Sequence, residues 1–161
     1  MRKLLVTFLV MACVSQIGCK KDDDDDNNQV PPPEQLFLDS LFIEQMPFVD
    51  ESGAGWDVST GPDIFFRMLQ GSATISTSPV LTDRAPNDLP FLWLASPSLE
   101  IETWTTDLVV DVWEYDEISD DYVGNVVFDF ETQSQQHGYV DQYTATNASE
   151  TLVIRLAVHW Q

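Results

Sequence analysis

Apolar and polar residues alternate along most of this chain, the two-residue period of strands with one buried face. The clearest run is Leu152-Val153-Ile154-Arg155-Leu156-Ala157-Val158-His159-Trp160, which makes His159 an outward strand residue. Similar alternation, or enrichment in β-branched and aromatic residues, predicts strands at 35–45, 63–70, 73–78, 91–94, 99–105, 108–113, 125–130, 139–146 and 151–160. Turn-forming clusters separate them: Ser52-Gly53-Ala54-Gly55, Thr60-Gly61-Pro62, Ala85-Pro86-Asn87-Asp88, Ser96-Pro97-Ser98 and Asn147-Ala148-Ser149. No segment sustains a 3.6-residue apolar period. Eight or nine short strands with polar turns predict an all-β fold, an antiparallel β-sandwich.

The first residues follow a different pattern. Arg2 and Lys3 precede the apolar run Leu4–Ala12, and the small residue Gly18 precedes Cys19. A charged start, an apolar stretch and a small-residue exit are the layout of a secretory signal. A membrane span needs about 18 or more apolar residues, and Ser15-Gln16 interrupt this run. Ile17-Gly18-Cys19 resembles the lipobox of bacterial lipoproteins, although Gln16 stands where that box usually has leucine. Cys13 also fits the box locally, behind a shorter signal. Lys20-Lys21 and five consecutive Asp then resemble the export signal of surface lipoproteins in Bacteroidota-type bacteria. The resemblance implies a lipidated Cys19 and an outer-membrane protein facing the cell exterior. A block of like charges also repels itself and stays solvated, and Pro31-Pro32-Pro33 stiffens its end. The expected organisation is a lipoprotein signal peptide at 1–18, a lipidated acidic and Pro-rich tether at 19–33, and a β-sandwich domain at 34–161.

Composition narrows what that domain does. Of the 7 basic residues, only Arg67, Arg84 and Arg155 follow the tether; of the 27 acids, all but the five of the Asp run do, a formal balance of about −19. Such a surface excludes nucleic acid, which needs a Lys/Arg cluster, and disfavours docking on anionic lipid. It favours cations. Both cysteines, Cys13 and Cys19, precede the domain, so it holds neither a disulfide nor a thiolate metal site. With His137 and His159 the only histidines, neither a zinc centre nor a nucleophilic triad is indicated, and the domain reads as non-catalytic.

The acids gather in two loops. The first runs from Phe48 through Asp50, Trp56 and Asp57 to Asp63; the second holds Trp113-Glu114-Tyr115-Asp116 and Asp121-Tyr122-Val123-Gly124. On an extended strand Glu114 and Asp116 share a face, and Asp121 returns toward them from the loop. Clustered carboxylates repel unless a cation sits among them, and calcium takes six to eight oxygens in flexible geometry.

At these residues the chain resembles the C2 domain, the second conserved region of protein kinase C. The late loop has that family's apolar strand, Trp-acid-aromatic-Asp step and Asp-aromatic-aliphatic-Gly return. The early loop has Asp50 and Asp63-Ile64-Phe65-Phe66. The resemblance implies an eight-stranded sandwich with calcium as cofactor, ligated by Asp50, Asp63, Glu114, Asp116 and Asp121, with Asp57 competing for the second place. Glu114 departs from the usual Asp, and the family's lysine-rich strand has no counterpart. Phe48, Trp56 and Ile118 flank the acids as candidate contacts to a protein or glycan ligand. The implied protein is a lipid-anchored, cell-surface binding module; the alternatives are a metal-free accessory lipoprotein of an envelope complex and a glycan-binding surface protein that uses Trp56 and nearby loop residues. If Cys19 carries the anchor, Cys19→Ala should abolish incorporation of labelled palmitate and release the protein from membranes, whereas Cys13→Ala should change neither.

Overall fold

The structure, a computed structural model, describes residues 32–50, 52–56 and 60–161. The expected signal at 1–18, Cys19, the tether up to residue 31, and Asp57 lie outside the described residues. Among the described residues there are eight strands: β1 (Leu36–Gln45), β2 (Ile64–Gln70), β3 (Ala73–Thr77), β4 (Phe91–Ile101), β5 (Leu108–Glu114), β6 (Asp121–Phe128), β7 (Gln142–Thr146) and β8 (Val153–Trp160). They make two four-stranded sheets, ordered β4-β1-β8-β7 and β3-β2-β5-β6, and every pairing is antiparallel. This is the antiparallel sandwich that the alternation predicts.

The inward rows are the alternating apolar positions. Leu36, Leu38, Leu41 and Ile43 of β1 face the core with Ile154, Leu156 and Val158 of β8. The other sheet contributes Ile64, Phe66 and Met68 of β2 and Leu108, Val110 and Val112 of β5. The step from Leu38 to Leu41 is three positions, not two. A bulge between Leu38 and Ser40 absorbs the odd step and keeps both leucines inside.

Three expectations at the element level need correction. The strands expected at 91–94 and 99–105 are one strand, β4, in which residues 95–98 bulge opposite Asp39. Pro97 is tolerated because β4 is a sheet edge, where a missing N–H breaks no ladder. The sixth strand starts at Asp121, before the expected 125, because Asp121 and Tyr122 pair with Glu114 and Trp113 across the β5–β6 hairpin. It ends at Phe128, and a helix, α1 (Phe130–His137), follows. Asp129 caps the helix by accepting the Thr132 N–H at 2.8 Å, and Gly138, with φ of 79°, closes it. Only Phe130 and Ser134 of α1 are buried, so it carries no apolar period. The turn expected at Asn147-Ala148-Ser149 is present, with the Asn147 side chain receiving the Thr151 and Leu152 N–H groups.

On the outer face of the first sheet, Asp39 links three strands. Its Oδ1 accepts the Ser98 hydroxyl at 2.6 Å and lies 2.9 Å from His159 Nδ1, whose ring stacks on Phe37. Burial pushes the Asp39 carboxyl up, but these hydrogen bonds and the His159 charge outweigh it and hold it below the usual value. A carboxyl depressed by folding adds stability above its unfolded pKa, and that stability is lost as pH falls through the folded value. Asp39→Asn should therefore lower the melting temperature at neutral pH, and the gap to the unmodified protein should shrink toward about pH 3.

Candidate functional site

The β5–β6 hairpin builds the acidic end of the sandwich. Leu108, Val110 and Val112 point inward on β5, and the same phase carries Glu114 inward at the strand's last position. Glu114 is 1% exposed. It pairs directly with Asp121, the first residue of β6. The connecting turn carries Asp116, and one carboxylate oxygen from each of Glu114, Asp116 and Asp121 lies within 4.8 Å of the others. Three carboxylates this close repel one another, one of them inside the core margin. The donor set is all oxygen, which fits a hard cation such as calcium.

The early loop lies at the same end. Asp50 Oδ1 accepts the Ser52 N–H, the Ser52 hydroxyl and the Ala54 N–H, at 2.8, 2.7 and 2.9 Å. The Ser52 hydroxyl and Ala54 N–H chiefly hold this carboxyl below its ordinary value. The Asp63 side chain turns elsewhere: its Oδ1 accepts the Asp83 N–H at 2.7 Å. Its backbone stays close to the cluster, the N–H directed at Glu114 Oε1 at 3.5 Å and the carbonyl accepting the Tyr115 N–H at 2.7 Å. Gly61 locks this crossing. A Cβ there would meet the Arg84 carbonyl oxygen at 1.9 Å, so only glycine lets the two backbones approach.

Of the six acids expected to ligate metal, the structure gathers Glu114, Asp116 and Asp121. Asp50 and Asp63 spend one oxygen each on backbone N–H groups, and Asp57 is not described. Among the candidate contact residues, Ile118 is 99% exposed on the hairpin turn. Phe48 packs edge-on against Phe91, 6.4 Å between ring centres. Trp56 is partly buried, and its Nε1 donates to the Pro47 carbonyl at 3.1 Å. Sequence reasoning passed over Tyr122, which packs edge-on against Trp113 at 5.0 Å and meets Trp56 and Asp50 across a recess of about 340 Å³. Burial and the nearby Asp111 charge push its hydroxyl pKa up. The only signal available in sequence was its place in the Asp-aromatic-aliphatic-Gly return.

No protein-family model and no curated protein matches the chain. Solved structures do. A structure described as a C2 domain aligns over 79% of this chain and 97% of its own, at 15% identity and a TM-score of 0.52. A fragment of extended synaptotagmin 2, comprising its SMP domain and two C2 domains, aligns over 80% of this chain at 14% identity and a TM-score of 0.50. This chain spans 28% of that fragment. The domain is therefore a C2-like antiparallel β-sandwich, and likeness at this identity speaks for the fold alone.

Removing one of the three charges should relieve the repulsion. In a calcium-free buffer, Glu114→Gln should be as stable as the unmodified protein or more so, by an amount on the order of 1 kcal/mol in denaturant melts.

Proposed function

We propose that this protein is a lipid-anchored, non-catalytic binding module on the outer face of the outer membrane, whose C2-like sandwich binds calcium through its acidic loop end. The observation that carries the reading is the convergence of Glu114, Asp116 and Asp121 within 4.8 Å. Backbone carbonyls of the two loops and water would complete a six- to eight-oxygen shell. Bound calcium would cancel the repulsion, order the hairpin turn and present Ile118, at its tip, to a partner.

The anchor and the cation fit one setting. Modules outside the cytosol bind calcium with dissociation constants of about 10⁻⁴–10⁻³ M, so a site with three carboxylates would fill there. With the lipid supplying attachment, the domain needs no basic lipid-binding face. At about 5 mM calcium such a site would stabilise the fold by about 1–2 kcal/mol, read as a melting shift of a few degrees. Calorimetry should show one calcium-binding event or more, and Asp116→Ala should abolish both heat and shift. Absence of heat and of any shift in the unmodified protein would overturn the reading in favour of a metal-free accessory lipoprotein.

A further inference from the structure

Trp56 walls three recesses at the loop end of the sandwich. Two of them, each about 340 Å³, meet at Trp56, Tyr122 and Asp50 and form one open cleft. That volume lies at the small end of the range for ligand sites. The indole is held by its Nε1 bond to the Pro47 carbonyl, so its orientation is fixed and its one donor is already used. What it offers a ligand is an apolar ring, as does the half-exposed Tyr122.

The polar groups around the rings have capacity to spare. Asn147 spends both amide hydrogens on the Ser149 and Thr151 hydroxyls and its oxygen on the N–H groups of Thr151 and Leu152. Ser149 and Thr151 share one hydrogen bond, 2.9 Å long, in which either is the donor. Two hydroxyls joined by one bond keep one hydrogen for an outside acceptor. Asp50 accepts its bonds on Oδ1, and Oδ2 has no partner among the described residues. The cleft thus presents aromatic surface, a hydroxyl donor and a carboxylate acceptor, with no lysine or arginine among its lining residues.

We infer that the Trp56–Tyr122 cleft binds a neutral saccharide. The C–H face of a pyranose ring has the shape and apolarity to lie on a fixed indole. Its hydroxyls both donate, as a carboxylate requires, and accept from a serine or threonine hydroxyl. Asp50 and Asp121 repel an anionic sugar, with no cationic side chain to offset them. The cleft shares only Asp121 with the metal cluster, so stacking and the Asp50 contact do not require calcium.

The test is calorimetric titration of the full chain with maltotriose, cellotriose, xylotriose and mannotriose, with trigalacturonate as the anionic arm, each in EDTA and again in calcium. Binding of one or more neutral trisaccharides in EDTA is expected. Trp56→Ala and Tyr122→Ala should each weaken it at least tenfold, and Trp56→Phe should weaken it less. Circular dichroism of each variant identifies any that fails to fold, and the remaining variant then decides. No heat with any neutral sugar, equal binding by a folded ring-deleted variant, or preference for trigalacturonate would overturn the inference. None of these outcomes depends on whether calcium itself binds.

Discussion

Glu114 is the last inward position of β5, and strand alternation leaves it no other face. The period that places Leu108, Val110 and Val112 in the core also drives a carboxylate into the core's edge. A buried charge is costly unless its surroundings answer it. The Asp63 N–H points at Glu114, and the hairpin adds Asp121 directly opposite and Asp116 from the turn. The chemistry proposed for this end follows from that placement, because a cation is the simplest way to reconcile three close carboxylates with a packed sandwich.

The backbone around the hairpin is organised to hold this arrangement. The β2–β5 ladder continues one bond beyond the strands, from the Tyr115 N–H to the Asp63 carbonyl. Asp63 and Asp83 tie the incoming loop, and Gly61 allows the Arg84 backbone to cross it closely. The few cations of the domain all lie over rings: Arg67 over Phe65 and Trp113, Arg84 over Phe91, and Arg155 over Phe42, where it also pairs with Glu44 at 2.7 Å. Arg67 also reaches Asp120, at 3.6 Å, in the same turn as Asp116. Held there, the three arginines leave most of the acidity uncompensated, and a surface of that sign draws counter-cations.

The sandwich was legible because inward rows such as Ile154-Leu156-Val158 repeat with period two, a property of the chain itself. Helix α1 was not, because only Phe130 and Ser134 are buried and its signals are the caps Asp129 and Gly138. The continuity of β4 was hidden by Pro97, which an edge strand accommodates. At the loop end, the spacing of Glu114, Asp116 and Asp121 was readable because all three belong to one hairpin. The directions of Asp50 and Asp63 were not, since nearby backbone N–H groups at Ser52, Ala54 and Asp83 decide them. Trp56 stood out in sequence by its place in a Gly-rich loop, but its pairing with Tyr122 did not, because the walls of the cleft come from loops and a strand far apart in sequence.

The central claim concerns where a cation sits, and the most direct measurement is a crystal structure with calcium, with the ion identified by its anomalous scattering. A calcium peak bonded to carboxylate oxygens of Glu114, Asp116 and Asp121 at about 2.3–2.6 Å is the predicted result. A well-ordered hairpin with no ion among those three side chains at millimolar calcium would contradict it.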